Sequence, residues 1–237
     1  MNDIEYLKKY YDGNIDEAIN RLKKGEPVQY IVGNVDFYGY KLNVNNNVLI
    51  PRFETEELVD NIIKLVKEKF NKKVNILDIG TGSGAIAISL KNELDSEVSA
   101  TDISKEALDV AIENAKINNA NIDFINTNIY DGINKKFDIV VSNPPYISYN
   151  EEIEDIVKNN EPNIALYADN NGLYFYEEIL KNIKRILNNK YIICFEIGMN
   201  QAKSIKEFAH KYLDNINVIV KKDMQHRDRM IFITNIE

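Results

Sequence analysis

The sequence predicts an α/β domain in which helices cover both faces of a mostly parallel sheet. After residue 73, seven apolar strand-like segments alternate with segments of helical periodicity, as parallel strands joined by crossover helices require. The last two strand segments are separated only by residues 221–229, too few for a crossover helix, so we expect the last strand to run antiparallel. We predict the strands at residues 74–79, 98–101, 122–125, 137–142, 191–197, 216–220 and 230–234.

The first fifty residues predict a smaller unit ahead of this sheet. Residues 3–24 carry two short amphipathic helical patterns, which are split at Asp12-Gly13-Asn14 and end at Gly25. Residues 35–44 contain two alternating runs around a turn at Tyr38-Gly39, which predicts a β-hairpin. We therefore expect a short helical N-terminal region at residues 1–25, a β-hairpin linker at residues 26–50 and the main domain at residues 51–237.

The helices of the main domain follow from apolar residues at helical spacing. A helix is predicted from Thr55 to Phe70, because its apolar residues fall on one face. Acidic residues crowd its first turn, where the positive end of the helix dipole stabilises them. Further helices are predicted from about Gly84, from Lys105, near residues 173–187 and near residues 201–212.

Composition and charge disfavour several classes of protein. The net charge of −8, with lysines interspersed among acids, makes a nucleic-acid backbone a poor partner. No apolar stretch approaches the ~20 residues that span a bilayer, and the start of the chain has no signal-peptide pattern, so we expect a cytoplasmic protein. Cys194 is the only cysteine, and His210 and His226 stand alone, so we expect no disulfide and no metal site.

A glycine-rich loop follows the first strand of the main domain. Residues 77–84 close that strand and open a helix, and Gly80, Gly82 and Gly84 allow a sharp turn and close approach of a ligand. Asp102 ends the next strand about 20 residues later, where a carboxylate accepts hydrogen bonds from a ribose diol. The spacing is Gly-x-Gly-x-Gly and lacks the longer interval of dinucleotide sites, which favours S-adenosylmethionine, a nucleoside ligand without a pyrophosphate.

Asn143-Pro144-Pro145-Tyr146 follows the buried strand at residues 137–142, at the sheet edge where α/β folds bind their ligands. Two consecutive prolines fix two φ angles and remove two backbone donors, so the turn is rigid. The Asn143 side-chain carbonyl and the Pro144 backbone carbonyl can accept two N–H bonds, while the Tyr146 ring offers a face. This arrangement suits an amino group on a flat conjugated system, either a side-chain amide or the exocyclic amine of adenine.

The motifs of this sequence, taken in their order along the chain, resemble those of the peptide-chain release factor glutamine methyltransferases of the HemK/PrmC type. The resemblance covers almost everything after residue 25. Three features depart from the family pattern: a shorter N-terminal region, Asn128 where an acid is common, and Phe53 in place of a proline. The strings that carry the resemblance are Glu26 to Tyr30, Phe37, Leu49 to Glu56, Asp78 to Gly84, Asn143 to Tyr146, Glu161-Pro162 and Asp228-Arg229.

The resemblance implies a fold, a donor and an acceptor. The fold would be the Rossmann-like class I methyltransferase fold, with residues 51–237 as catalytic domain. The donor would be S-adenosylmethionine, and the acceptor the glutamine of the Gly-Gly-Gln loop of bacterial release factors, with no nucleic acid, membrane or metal as partner. The implied donor-site residues are Gly80, Thr81, Gly82, Ser83, Gly84 and Asp102, with Asn128 and Ile129 by the adenine and Asn143 beside the donor. The implied glutamine site comprises Asn143, Pro144, Pro145, Tyr146 and Phe37, of which Asn143, Pro144 and Tyr146 are the expected catalytic residues.

The expected chemistry needs alignment rather than a base. An amide nitrogen is a poor nucleophile, and Asn143 with the Pro144 carbonyl can aim it and stabilise the charge that grows on it. Two alternatives remain at this point. An adenine-specific nucleic-acid methyltransferase would use the same turn, but it needs a basic surface or a recognition domain. The second alternative is a non-catalytic module that binds S-adenosylmethionine and transfers no methyl group to an acceptor.

Overall fold

The computed structural model describes residues 2–236, and its first elements are three short helices with a small core of their own. Helices α1 (Asp3–Tyr10) and α2 (Ile15–Lys23) confirm the two predicted amphipathic segments. The side chains of Asn2 and Asn14 cap them by accepting backbone N–H bonds. Helix α3 (Val28–Val32) is not predicted, because five residues are too few to display a helical period.

A β-hairpin follows and packs on the main core. Strands β1 (Asn34–Phe37) and β2 (Tyr40–Asn43) pair antiparallel, which confirms the predicted hairpin. Tyr38 and Gly39 both have positive φ, at 50° and 81°, which is the turn geometry that matches the twist of a two-residue hairpin. The inward side chains of the hairpin join the core cluster of the large sheet.

The main sheet has seven strands in the order β5-β4-β3-β6-β7-β9-β8. Its last strand in sequence, β9, runs antiparallel between β7 and β8, as predicted. Strand β7 begins at Leu187, four residues before the predicted start. The strands are β3 (Val74–Ile79), β4 (Ser96–Asp102), β5 (Ile122–Asn126), β6 (Phe137–Ser142), β7 (Leu187–Glu196), β8 (Asn217–Lys222) and β9 (Asp228–Thr234).

Helices cover both faces of this sheet, because alternate residues of its buried strands point to opposite sides. On β6, Ile139 and Val141 belong to one core cluster and Val140 to the other. Cys194 lies fully buried in the first of these clusters. The helices are α4 (Phe53–Lys69), α5 (Ala85–Glu93), α6 (Lys105–Ile117), α7 (Asp155–Asn160), α8 (Asn163–Leu166), α9 (Asp169–Gly172), α10 (Tyr174–Lys181) and α11 (Ala202–Tyr212).

The strand order creates a switch point beside β3. The chain leaves β3 toward β4 and β5 on one side, whereas β6 and β7 lie on the other. Ligands of open α/β sheets bind at such a point, outside the carboxyl ends of the strands. None of the helices in residues 2–236 is long and apolar enough to cross a membrane.

Candidate active site at the carboxyl edge of the sheet

A cavity of about 310 Å³ opens at the switch point between β3 and β6. The loops after β3, β4, β5 and β6 all contribute to its wall, so motifs distant in sequence meet there. Arg52 and Thr55, at the start of α4, close one side, and Ile164 and Tyr174 lie at another. The sequence-predicted site residues that line it are Gly80, Thr81, Gly82, Ser83, Asp102, Asn128, Ile129, Asn143, Pro144 and Pro145.

Two of the three loop glycines face open space. Gly80 and Gly82 have φ of 70° and 54°, and a Cβ on either would meet nothing within 4 Å. Backbone N–H groups of Gly80 and Thr81 both donate to the Thr101 carbonyl at 2.9 Å, which fixes the loop against β4. A ligand can therefore approach this backbone closely.

Gly84 lies where α5 and α6 pack together. A Cβ there would lie 3.1 Å from the Ile88 side chain and 3.3 Å from Ala111 Cβ. Gly84 does not line the cavity, and its lack of a side chain lets α5 pack closely on α6. A donor-site role for Gly84 stays a prediction.

A buried carboxylate lies at the end of β3, directly before the loop. Asp78 Oδ2 accepts a 2.6 Å hydrogen bond from Thr81 Oγ1, while the buried Asp78 Oδ1 has no hydrogen-bond partner among residues 2–236. Burial is the main cause that raises the pKa of Asp78 to about 7; the charge of nearby Asp102 adds to the rise, and the Thr81 hydrogen bond opposes it. Asp78 does not itself line the cavity, and its hydrogen bond with Thr81 holds the glycine loop at the end of β3.

Asp102 is held in place by backbone groups. Its Oδ2 accepts from Gly82 N and its Oδ1 from Ser104 N, both at 2.9 Å. Burial raises its pKa, although these backbone bonds oppose the rise. Each carboxylate oxygen has a second lone pair, so a diol can still donate to this fixed carboxylate.

The loop after β5 brings a strained residue to the cavity. Ile129 has φ of 52°, which is rare for a β-branched side chain. Its carbonyl accepts a 2.6 Å hydrogen bond from Thr101 Oγ1, which holds the strained backbone against β4. Asn128 beside it is exposed. Such strain is commonly found at binding sites.

The amide of Asn143 is oriented by residues that the sequence analysis does not single out. Asn143 Nδ2 donates to Thr55 Oγ1 at 3.3 Å, and Thr55 Oγ1 donates to Glu196 Oε2 at 2.6 Å. Within the described residues, the Asn143 carbonyl oxygen has no hydrogen-bond partner, so it can accept from a ligand. Burial raises the pKa of Glu196 to about 7, while the Thr55 hydrogen bond and Arg229 oppose the rise.

Tyr146 and Phe37 are not among the residues that line the cavity, and their place around the target group stays a prediction. The Tyr146 hydroxyl lies 3.5 Å from Glu196 Oε1 and from Arg229 Nη1, and burial raises its pKa. Phe37 is 2% exposed and packs in the core beneath the hairpin. The backbone carbonyl of Tyr146 accepts a 2.9 Å hydrogen bond from Gln201 Nε2, which anchors the turn to the start of α11.

A second anchor joins the chain just before α4 to the end of α7. Glu161, at the end of α7, is buried and forms an ion pair with Arg52. Its other oxygen accepts from Ile50 N at 3.0 Å. The neighbouring helix α8 supplies Ile164 and Ala165 to the cavity wall. Arg52 and Glu161 belong to two of the motifs that carry the family resemblance, and the structure brings these two motifs into contact.

One of the missed residues, Glu196, carries a signal that could have revealed it. Glu196 ends an apolar strand at the same sheet edge as Asp78 and Asp102, where a buried acid needs a partner. Gly172 and Gln201 carry weaker signals, since each acts on Tyr146 from more than twenty residues away. Among residues 2–236, no group of three or more His, Cys, Asp or Glu side chains could hold a metal ion.

Sequence comparisons place this chain among methyltransferases. Residues 54–160 match the model of the family described as "Methyltransferase small domain". A release factor glutamine methyltransferase of Lactococcus lactis is 45% identical over 223 residues, covering 92% of this chain and 81% of the relative. A release factor glutamine methyltransferase of Flavobacterium psychrophilum is 46% identical over 224 residues, covering 91% and 78%.

Solved structures with low sequence identity share the fold. A methyltransferase from Pyrococcus furiosus matches with a TM-score of 0.63 at 19% identity, covering 92% of this chain and 98% of that one. A ribosomal protein L11 methylase from Lactobacillus delbrueckii subsp. bulgaricus matches with a TM-score of 0.58 at 21% identity, covering 77% and 79%. These matches support the class I methyltransferase fold, with its mostly parallel seven-stranded sheet and antiparallel last strand.

Proposed function

Since this chain belongs to the release factor glutamine methyltransferases, we propose that it methylates the side-chain amide nitrogen of the glutamine in the Gly-Gly-Gln motif of a bacterial release factor, with S-adenosylmethionine as donor. The observation that carries the proposal is the free carbonyl oxygen of Asn143, held at the carboxyl edge of the sheet beside the glycine loop. A fixed acceptor at this place selects a group that brings N–H donors.

The residues of the cavity fit the donor. The open backbone at Gly80 and Gly82 and the fixed Asp102 carboxylate fit the amino acid and ribose parts of S-adenosylmethionine. Asn128 and Ile129 would lie beside the adenine. When bound, the donor supplies a methyl group on a sulfonium sulfur, which is a good leaving group.

The acceptor side needs two hydrogen-bond acceptors and a rigid turn. The Asn143 side-chain carbonyl and the Pro144 backbone carbonyl accept the two amide N–H bonds of the target glutamine. They align the nitrogen and stabilise the positive charge that grows on it, an effect worth roughly 10²- to 10³-fold in rate per lost partner. The nitrogen becomes acidic only after the transfer, so water can remove the proton and no protein base is required.

The charge of the protein favours a protein acceptor over a polyanion. A net charge of −8 repels a nucleic-acid backbone, and a nucleic-acid enzyme would have to attract one. A folded release factor can supply binding energy remote from the reacting glutamine, which free glutamine lacks. The acceptor is therefore the glutamine on its loop in the folded factor.

The test is a transfer assay with methyl-labelled S-adenosylmethionine. We expect label on an intact release factor, no label when its loop glutamine is replaced by alanine, and neither label on duplex DNA nor competition from it. Label on DNA without label on the factor would overturn the proposal in favour of an adenine methyltransferase. Donor binding without transfer to either acceptor would favour a non-catalytic binding module.

A further inference from the structure

A buried hydrogen-bonded chain connects three elements behind the proposed acceptor site. Thr55 lies in the first turn of α4, Glu196 ends β7, and Asn143 follows β6. Thr55 and Glu196 are only 4% and 2% exposed, so water does not compete for their hydrogen bonds. The two distances along the chain are 3.3 Å from Asn143 Nδ2 to Thr55 Oγ1 and 2.6 Å from Thr55 Oγ1 to Glu196 Oε2.

The number of protons available to these three side chains determines which group donates in each hydrogen bond. Above a pH of about 7, to which burial raises the pKa of Glu196, the carboxylate is charged and can only accept. The single proton of the Thr55 hydroxyl therefore points to Glu196, at 2.6 Å. The hydroxyl oxygen is then left to accept, and its donor is Asn143 Nδ2.

The opposite orientation of the Asn143 amide is unfavourable for the same reason. Rotating that amide by half a turn would place its carbonyl oxygen against the Thr55 oxygen with no proton between them. Two buried acceptors would then face each other, and a lost buried hydrogen bond costs about 1–3 kcal/mol. The chain of bonds therefore keeps the Asn143 carbonyl oxygen as the group that is free for a ligand.

We propose that Thr55 and Glu196 are positioning residues that fix the orientation of the Asn143 amide and thereby restrict the site to acceptors that bring N–H donors. The inference rests on the proposed function, because it assigns the free carbonyl oxygen to the target glutamine amide. It also predicts a specificity: a glutamate at the target position would present oxygen acceptors to the acceptors of Asn143 and Pro144.

The test compares single-atom changes at Thr55. Thr55→Val keeps the shape and removes the hydroxyl, whereas Thr55→Ser keeps the hydroxyl and removes a methyl group. Thr234→Val is the matched control, since Thr234 Oγ1 donates to the Tyr191 carbonyl at 2.9 Å, away from the cavity lining. We expect Thr55→Val to lower kcat roughly 10- to 100-fold at pH 8, with donor Kd unchanged within about threefold. Thr55→Ser should restore most of the rate, and Thr234→Val should match the wild type.

A double-mutant cycle tests whether Glu196 acts through Thr55. Glu196→Gln alone should lower kcat by roughly 2- to 13-fold. The new glutamine side chain can donate to the Thr55 hydroxyl as well as accept from it, so the orientation of the Asn143 amide is no longer fixed. In the Thr55→Val background the same change should lower kcat no further. An equal loss in both backgrounds, or no loss in either, would overturn the role assigned to Glu196.

An NMR measurement tests the orientation of the Asn143 amide directly, without relying on methyl transfer to a release factor. The side-chain NH₂ signals of Asn143 in a nitrogen-15 NMR spectrum, assigned with an Asn143→Asp variant, should show a hydrogen-bonded proton in the wild type and in Thr55→Ser. That signal should move in Thr55→Val. An unmoved signal, or a wild-type rate in Thr55→Val, would overturn the positioning role. Failure of the wild-type protein to methylate a release factor, with the expected NMR signals, would overturn the proposed function alone.

Discussion

Replacing Gly172 by alanine should displace the turn at residues 143–146, although Gly172 itself does not line the cavity. Gly172 ends α9 with φ of 80°, and a Cβ built there would lie 2.0 Å from the Tyr146 carbonyl oxygen. The same Cβ would lie 2.7 Å from Gln201 Nε2, the group that donates to that carbonyl. The methyl group would therefore break the anchor of the turn.

The size of the effect follows from a matched control in the same chain. Gly33 has φ of 81°, and a Cβ there would meet nothing within 4 Å. Gly33→Ala should therefore lose only the cost of a left-handed residue, about 1–2 kcal/mol of unfolding free energy. Gly172→Ala has the same backbone cost plus the steric overlap with Tyr146, which we expect to add about 1–3 kcal/mol. The difference between the two variants isolates the overlap.

The assay combines urea unfolding with release-factor methylation and donor calorimetry. We expect Gly172→Ala to be the less stable variant and to lose at least about tenfold in kcat, because a displaced turn misaligns the acceptors. Donor Kd should stay within about threefold of the wild-type value, and Gly33→Ala should keep a wild-type rate. Equal stability of the two variants, together with equal rates, would show that Gly172 does not support the Tyr146 turn.

Three further predictions concern the carboxylates and the amide of the site. Asn143→Ala should nearly abolish methylation while donor binding stays within a few-fold, as kinetics and calorimetry can show; a matching loss of donor affinity would assign Asn143 to the donor site. Asp102→Ala should weaken donor binding by about 1.5–3 kcal/mol in calorimetry, and unchanged affinity would remove Asp102 from the ribose role. Because burial raises the pKa of Asp78 to about 7, the folded state holds that proton more tightly than the unfolded state, so unfolding free energy should fall as pH rises from about 4 to about 7. Asp78→Asn should remove on the order of 4 kcal/mol of this fall in urea titrations across that range, and an unchanged slope would show that Asp78 is not protonated in this way.

The sequence predicted the regular part of the fold because that part repeats a local period. Alternation on β6 and helical spacing on α4 each reflect one buried face, and both elements appear close to their predicted bounds. The short helices α7, α8 and α9 were not predicted, since four to six residues show no period. Strand β7 begins earlier than predicted, because Asn188, Asn189 and Lys190 interrupt the apolar pattern at its start.

By itself the sequence determined the groups that are local in the chain: the glycine loop after β3, Asp102 at the end of β4, and the rigid turn at residues 143–146. The tertiary structure alone decided which distant groups meet them. Thr55 bonds to Glu196 across 141 residues, and Gln201 to Tyr146 across 55. Patterns of apolar residues report which face of an element is buried, but they carry no information about which polar side chain of another element lies opposite. That choice follows from how α4 and α11 pack at the ends of the strands, so the orientation of the Asn143 amide is a property of the folded chain.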